Sequence, residues 1–374
     1  MKSRVGFISD GMIPSLKELF WGRCGVRGLI LGRLSSSSVA MMRGEWLIDA
    51  VNACEQNALQ YEFFRPWLAY DAIVFVKSMG DASAALQQRL KMKGVSTLFD
   101  ANVDYFTTPE GHFFYDGMVP TPEQRAAAIE MATLCDGVMA DSQHIKGAAE
   151  QYNRNVVCVT DNVKDDLITQ GSSWRPSGNS KIPLLWSGEA VKLFDLLRIK
   201  EVLLDYAKKF RLVLVTSSLQ ALERWFPPYR KEFDDLLSKI EHQVMPFVSI
   251  RKLMRIYDDG GVSISPRFLD NTYNLGHTEW KITLAMARGR IAVCSDQPSY
   301  VDVAVRAKDE GIRICRSDDA WRRAFDEILD PGFDWDREQT AASAVVKKYY
   351  ATSVVADEHV RFVSSILEGQ SRDR

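Results

Sequence analysis

Apolar runs and amphipathic stretches alternate along the first half of the chain. The first run is RVGFIS at residues 4–9, and Asp10-Gly11 follows it directly. Stretches with helical spacing, such as EWLIDAVNACEQNAL at residues 45–59 and ASAALQQRLKMKG, precede or separate the later runs DAIVFVKS, VSTLFD, DGVMAD and NVVCVTDN. Apolar runs of this length are typical of parallel strands that are buried on both faces. The pattern therefore predicts repeated strand-helix units that form an α/β domain over residues 1–165.

A second series of the same kind follows a polar segment. Residues 166–181 contain Gly, Ser and Pro without periodicity, which is typical of a linker. The apolar runs IPLLWSG, RLVLVTSS, HQVMPF, GVSISP and RIAVCSD come after it, again with helical stretches between them. We assign residues 182–345 to a second α/β domain and residues 346–374 to a terminal helix. The expected fold class is α/β, with two Rossmann-like domains that face a central cleft.

Composition restricts the classes of function. The chain has 374 residues, of which 46% are hydrophobic and 26% charged, as in a globular protein of two domains. The formal net charge of −2 provides no positive field, so we expect no nucleic-acid partner. The 6 cysteines form no CxxC pair, which argues against a zinc or disulfide framework. No apolar run approaches the ~18 residues of a membrane span, and the apolar piece near the N-terminus is far too short for a signal peptide, so we expect a cytoplasmic protein.

Candidate site residues follow the predicted strands, because ligands of open parallel sheets bind beyond the carboxyl ends of the strands. Several common site motifs are absent there: G-x-G-x-x-G, G-x-x-x-x-G-K-[ST], G-x-S-x-G and H-E-x-x-H. Their absence argues against an NAD site, a P-loop, a serine hydrolase and a metalloprotease.

The segment NTYNLGHTEWKITLAMARGR, residues 271–290, is the strongest candidate for a binding site. It lies between two predicted strands, and the helix expected over Thr278 to Arg288 would point its N-terminus at the cleft. The free amide groups of a helix N-terminus favour an anion, and Lys281 would add a positive charge. The alternative is that Lys281 and Glu279 are solvated residues of an ordinary helix.

This segment and the next strand resemble the donor-binding segment of two-domain GT-B glycosyltransferases, especially the retaining family 4-like group. That segment contains the pattern K-x-x-E-A-M-A-x-G-x-P-V-V. Lys281 takes the lysine position, and residues 285–287 (Ala-Met-Ala), Gly289 and residues 298–300 (Pro-Ser-Tyr) also match. The chain departs from the family at Leu284 and Gly276, where relatives have two glutamates.

The resemblance implies a GT-B fold whose terminal helix returns to the first domain. It further implies transfer of a sugar from a nucleotide-sugar donor to the hydroxyl group of an acceptor. The acceptor would be a sugar or a lipid-linked molecule, and the reaction would serve the synthesis of cell-surface polysaccharide or glycolipid. Retention of configuration is implied, with no metal and no cofactor besides the nucleotide-sugar substrate. The catalytic candidates are His112, Lys281 and Glu279. The donor-binding candidates are Gly188, Lys192, Gly276, His277, Thr278, Lys281, Ser299 and Tyr300.

The acceptor is expected on the first domain, because the loop after the first strand faces it in GT-B relatives. Residues 15–34 combine arginines with aromatic and aliphatic side chains, and so predict a peripheral contact with the inner face of the membrane. The alternative for this stretch is a basic loop and a core helix. The acceptor-side candidates are Asp10, Gly11, Arg23, Arg27, Asp100 and Asp104.

Two other functions fit the same fold. Leu284, Gly276 and Glu189 replace residues that relatives use for the donor, as expected of a GT-B module that has lost catalysis and serves as a binding or partner subunit. The other alternative is a nucleotide-sugar epimerase of GT-B fold, which would convert its donor without an acceptor.

Overall fold

The computed structural model describes residues 2–13, 37–111, 119–169, 174–178, 180–217, 219 and 227–372. Two parallel six-stranded sheets form its framework, which confirms the expected α/β class. The first sheet has the order β2-β1-β3-β4-β5-β6, and every pairing in it is parallel. Its strands are β1 (Ser3–Ser9), β2 (Leu59–Phe63), β3 (Ala72–Val76), β4 (Ser96–Ala101), β5 (Gly137–Ala140) and β6 (Val156–Cys158).

The second sheet has the order β12-β11-β10-β7-β8-β9 and is also parallel throughout. Its strands are β7 (Ile182–Ser187), β8 (Phe210–Thr216), β9 (His242–Pro246), β10 (Val262–Ser265), β11 (Ile291–Ser295) and β12 (Ile312–Cys315).

Helices connect the strands and cover the sheets. In the described part of the first domain they are α1 (Ser38–Ala40), α2 (Trp46–Ala53), α3 (Asp81–Met92), α4 (Pro122–Leu134) and α5 (Gln143–Ala149), with a π-helical turn at Met41–Glu45. Those that follow are α6 (Lys200–Asp205), α7 (Pro227–Lys239), α8 (Ile250–Asp258), α9 (Thr272–Leu275), α10 (Trp280–Met286), α11 (Pro298–Ala307), α12 (Asp318–Leu329), α13 (Trp335–Tyr349) and α14 (Thr352–Arg372), with a 3-10 helix at Ala190–Ile199.

The central strands are buried along their whole length, as their uninterrupted apolar runs predict. Every residue of β3, β4 and β7 is buried. Local signals fix the helix starts in the same way. Thr121 caps α4, since its hydroxyl accepts from the Gln124 amide while the Gln124 side chain bonds back to the Thr121 amide.

Helix α14 crosses back and completes the core of the first domain, as expected for this fold. Val355 and Val363 belong to the same buried cluster as Leu47 of α2. The Tyr61 hydroxyl of β2 lies 2.9 Å from Nδ1 of His359.

The chain crosses between the domains at two neighbouring segments. The Val163 amide donates to the Tyr350 carbonyl at 2.8 Å, and the Thr352 amide donates to the Val163 carbonyl at 2.9 Å. Asn162, at the first crossing, bonds to both the second domain and the second crossing. Its carbonyl accepts from Trp280 Nε1 of the second domain at 3.0 Å, and its Oδ1 accepts from the Thr352 hydroxyl at the second crossing at 2.7 Å.

Three elements differ from the sequence prediction. The helical stretch predicted over residues 45–59 ends at Ala53, and its last residue begins the edge strand β2, where buried and exposed positions alternate. Strand β12 was not predicted, because only two of its four residues are fully buried. Helix α10 begins at Trp280 and ends at Met286, inside the predicted range.

Candidate active site

Lys281 and Gly188 meet at the carboxyl end of β7. The Lys281 ammonium nitrogen is buried, lies 4.4 Å from the centroid of the Trp186 ring, and has no hydrogen-bond partner within the described ranges. A Cβ atom at Gly188 would stand 3.0 Å from that nitrogen. Gly188 therefore leaves space beside a buried amine that forms no hydrogen bond with any described residue.

Lys192 and His277 form the next part of this group. The Lys192 ammonium contacts Nε2 of His277 and lies 5.0 Å from the centroid of the Tyr273 ring. The His277 carbonyl accepts from Gln297 Nε2 at 2.6 Å and from the Ser299 hydroxyl at 2.8 Å. Ser299 thus supports the backbone at His277, since its hydroxyl is used within the protein.

Arg267, directly after β10 and Pro266, is a third cation of the group and was missed in the sequence analysis. Its Nη1 lies 2.8 Å from Oδ2 of Asp195, and the side chains are only 3% and 7% exposed. The Tyr300 hydroxyl bonds to Ser265 at 2.8 Å, next to the Arg267 guanidinium. The strand-end rule could have found Arg267, but no sequence signal links it to Asp195. We call Lys192, Arg267, His277 and Lys281 the cation cluster.

Three members of the cation cluster, Lys192, His277 and Lys281, hold their protons weakly, because the pKa of each is lowered. Burial, with the positive charges of Arg267 and Lys192, lowers the pKa of Lys281 well below its usual value, although Asp195 opposes the shift. Burial and the charges of Lys192, Arg267 and Lys281 lower the pKa of His277 in the same way. Such a site gains most when a bound anion supplies the missing negative charge.

Glu279 does not join the cation cluster. It is buried, and burial together with Asp161 of the first domain raises its pKa to about 8, although Arg306 opposes the shift. Its Oε1 has no hydrogen-bond partner among the residues that the structure describes. The Glu279 carboxyl therefore belongs to the domain interface, and its role as a catalytic candidate stays a prediction.

Asp100, predicted on the acceptor side, is instead part of a buried ion-pair network. Its two oxygens accept from Arg43 Nε at 2.8 and 2.9 Å, and Nη1 of Arg43 reaches Asp161 at 3.1 Å. Asp141 lies nearby with both oxygens unpaired within the described part of the chain. We call Arg43, Asp100, Asp141 and Asp161 the Arg43 network.

Asp104 lies opposite Gly276, across the cleft. A Cβ at Gly276 would stand 2.7 Å from Cβ of Asp104 and 3.7 Å from Cδ2 of His144. The position where relatives have a glutamate therefore has no space for a side chain. Asp104, predicted on the acceptor side, thus directly meets a residue predicted on the donor side.

The ends of β1 and β3 form another part of the first domain's cleft edge. The Gly11 amide donates to the Ser78 hydroxyl at 2.9 Å. Asp10 and Lys77 both have left-handed backbones, with φ of 53° and 47°. The charge of Lys77 helps to lower the pKa of Lys192, after burial and the larger effect of Arg267.

The loop after β4 reaches across the cleft to the second domain. The Thr272 amide donates to the Glu110 carbonyl at 3.1 Å, and the Glu110 amide donates to the Thr272 hydroxyl at 3.2 Å. Gly111 pairs with Asn271, and a Cβ there would stand 1.8 Å from the Asp270 carbonyl oxygen. This contact closes one end of the cleft.

The remaining candidates divide into two groups. Thr278 is half-buried, and Leu284 is buried in the core of the second domain. His112, Arg23 and Arg27 lie outside the described residues, as does the stretch 15–34. Their roles stay predictions.

Two further findings concern the described residues as a group. No helix among them has the length and apolar character needed to cross a membrane. No cluster of three or more His, Cys, Asp or Glu side chains in the same ranges could hold a metal ion.

Comparison with known proteins identifies the fold. No family model and no curated protein matches the chain. Solved structures match it over most of its length. HepE of Anabaena, in complex with UDP and glucose, has a TM-score of 0.62 at 11% identity over 97% of this chain and 100% of its own. A Rickettsia africae glycosyltransferase has a TM-score of 0.59 at 12% identity over 98% of both chains. Sucrose-phosphate synthase from Thermosynechococcus elongatus has 0.56 at 14% identity, over 80% of this chain and 74% of its own. Two parallel sheets, a cleft at their carboxyl ends and a returning helix therefore give this chain the GT-B fold of glycosyltransferases.

Proposed function

We propose that the protein is a glycosyltransferase that moves a sugar from a UDP-sugar to a hydroxyl acceptor. The cation cluster carries the proposal, because three basic side chains surround one carboxylate, Asp195, at the carboxyl end of the second sheet. A nucleoside diphosphate supplies the negative charge that such a site lacks. HepE, which shares the fold, has been crystallised with UDP and glucose.

The cation cluster would act mainly on the leaving group. When the bond between the sugar and the diphosphate breaks, the electron pair goes to a phosphate oxygen. Lys281 and Lys192 neutralise the charge that develops there, in a site already largely removed from water. Since the side chains do this work, we propose a reaction that needs no metal, and by resemblance one that retains configuration.

The acceptor side follows from the first domain. We propose that the acceptor, a sugar or lipid-linked hydroxyl in polysaccharide or glycolipid synthesis, lies near Asp10 and Gly11, with Arg23 and Arg27 beside it. The protein would work in the cytoplasm, at the inner face of the membrane, with residues 15–34 as its contact.

A panel of UDP-, GDP-, ADP- and CMP-sugars tests this function. We expect UDP release from one UDP-sugar, faster with alkyl glycoside acceptors than with water, and unchanged by EDTA. UDP binding without release would favour the inactive GT-B module. Conversion of the donor sugar without an acceptor would favour the epimerase. Absence of nucleotide binding would contradict the proposed site.

UDP binding should take up protons. The pKa values of Lys281 and His277 are low in the free protein, and a bound diphosphate raises them, so both groups gain protons as UDP binds. The affinity for UDP should therefore fall between pH 7 and pH 9. Calorimetry in Tris, HEPES and phosphate buffers at one pH measures the uptake directly. A binding enthalpy that does not depend on the buffer would contradict it.

A further inference from the structure

We propose that the end of β9 and the first turns of α8 form a surface that binds an anionic lipid membrane. The contact lies on the second domain and is separate in sequence from residues 15–34. It does not depend on the glycosyl transfer proposed above, because it concerns where the protein is held and not what it transfers. We call Val244, Phe247, Val248, Arg251, Lys252 and Arg255 the β9 surface.

Strand β9 is exposed along its length. Within it only Met245 is half-buried and the other four residues are exposed, whereas β8 beside it is buried at six of its seven positions. The exposure continues through residues 247–249. Strands of parallel sheets are normally covered by helices on both faces, so this edge of the second sheet is unusual and is accessible to a partner.

Three apolar side chains are exposed in this segment. Val244 is 38% exposed, Phe247 47% and Val248 62%. Phe247 and Val248 directly precede Ser249, whose hydroxyl caps α8 at the Lys252 amide, so they lie in the turn between β9 and α8. Exposed apolar side chains that are grouped in one segment indicate an interaction surface, whereas scattered ones do not.

Basic side chains lie beside this turn. Arg251, Lys252 and Arg255 share the exposed face of α8, because residues three and four positions apart are neighbours on a helix. Arg251 pairs with the exposed Asp166 at 2.9 Å, whereas Lys252 and Arg255 have no carboxylate partner within the described ranges. No Asp or Glu occurs from residue 242 to residue 257. The turn is thus apolar and its border is basic.

This combination fits a membrane with anionic headgroups. Aromatic and aliphatic side chains enter the interface of a bilayer, while Lys and Arg beside them are attracted to anionic lipids. A second copy of the chain fits less well, because a twofold interface would place the same basic face on both sides of the contact.

Pairing with an added strand is also disfavoured at this edge. The Phe247 amide donates to the Thr216 carbonyl at the end of β8. Since backbone groups alternate in direction along a strand, the neighbouring position 246 points away from β8. Pro246 occupies it and has no amide hydrogen to donate to another strand. The β9 surface therefore has side chains suited to lipid and an edge unsuited to a strand.

Sedimentation with lipid vesicles tests the β9 surface. We expect wild type to bind vesicles of phosphatidylcholine with about 30% phosphatidylglycerol more tightly than vesicles of phosphatidylcholine alone, with a difference that salt reduces. Replacement of both Phe247 and Val248 with serine should weaken binding to the anionic vesicles by about 10-fold or more. Lys252→Gln together with Arg255→Gln should weaken it by about 10- to 30-fold.

Matched controls remove the same chemistry elsewhere. Val305→Ser, at a 71% exposed valine of α11, should bind the anionic vesicles like wild type. Lys208→Gln together with Lys209→Gln, an exposed pair directly before β8, should do the same. The melting temperature should stay unchanged in the α8 pair of substitutions, which keeps the test decisive if the serine variant fails to fold.

Other outcomes overturn the inference in recognisable ways. If wild type does not bind the anionic vesicles, the β9 surface is no lipid contact. If the test variants bind them like wild type, the contact lies elsewhere, for example in residues 15–34. If the lysine control loses as much binding as the α8 pair, the attraction is non-specific. If wild type forms a dimer that the serine variant abolishes, and neither binds vesicles, the surface joins two copies. Failure to transfer sugar from any donor would refute the glycosyltransferase function alone, since vesicle binding needs no donor.

Discussion

Replacing Lys281 with methionine should remove UDP binding and leave the free protein about as stable as wild type. Methionine is of similar length and can place an apolar end against the Trp186 ring, over which the Lys281 ammonium nitrogen now lies. In the free protein, burial and the charges of Arg267 and Lys192 disfavour the charged form of Lys281, so an uncharged methionine at this position costs the free protein little. In the complex the same change removes a charge partner of the diphosphate, at about 2 to 5 kcal/mol, or roughly 30- to several thousand-fold in Kd.

Thermal unfolding with and without UDP separates the two effects. UDP at about 100 times its wild-type Kd should stabilise wild type by about 2.7 kcal/mol, and the same concentration should stabilise Lys281→Met by less than about 1 kcal/mol. Lys347→Met, at an exposed position near the end of α13, is the control and should respond to UDP like wild type. A Kd for Lys281→Met within threefold of wild type would exclude Lys281 from the donor site.

Arg43→Met should destabilise the protein by about 3 to 5 kcal/mol at pH 8, because it leaves buried carboxylates without their positive partner. Arg43 is 1% exposed and bonds to Asp100 and Asp161, which are themselves buried. Its Nη1 also bonds the Val159 carbonyl at 3.0 Å, so the loss includes a hydrogen bond.

The deficit of Arg43→Met should shrink as the pH falls from 8 to 5. Burial raises the pKa values of Asp100, Asp141 and Glu279 in the folded protein, and the charge of Arg43 counters the shift in the two aspartates. A carboxyl whose pKa is higher in the folded protein contributes stability when the pH is below its unfolded pKa of about 4. This contribution is lost as the pH rises through the pKa of the folded protein. Without Arg43 the pKa values of the two aspartates in the folded protein rise further. Protonation of these carboxyls at pH 5 therefore restores more stability to the variant than to wild type.

Urea unfolding at both pH values measures this difference. Arg251→Met, which breaks an exposed ion pair with Asp166, should cost no more than about 1 kcal/mol at either pH. A deficit for Arg43→Met below about 1 kcal/mol at pH 8, or one that is equal at pH 5, would contradict the role assigned to the Arg43 network.

The central strands could be predicted from the sequence because burial on both faces leaves continuous apolar runs. Edge strands leave a weaker signal. Strand β2 alternates buried and exposed residues, and it follows a true helix, so the helical interpretation of residues 45–59 extended too far. The helix ends at Ala53 because the chain turns there to bring β2 beside β1.

The candidate site was predictable only where strand ends determine it. Gly188, Lys192, His277 and Lys281 follow the strands of one sheet or lie close to their ends, so the topology brings them together. Pairings between distant segments were not predictable. Arg267 meets Asp195 across 72 positions, and Arg43 meets Asp161 across 118, because packing of whole elements creates those contacts. Glu279 shows the same limit, since its neighbours in the other domain decide its surroundings.

The return of α14 to the first domain also governs the order of events during synthesis. Tyr61 and His359 are 298 positions apart, so the ribosome must translate the whole second domain before this contact can form. Until then the first domain exposes the apolar surface that Val355 and Val363 later cover. The first domain therefore remains incompletely covered and prone to aggregation until α14, which is encoded after the second domain, has been synthesised.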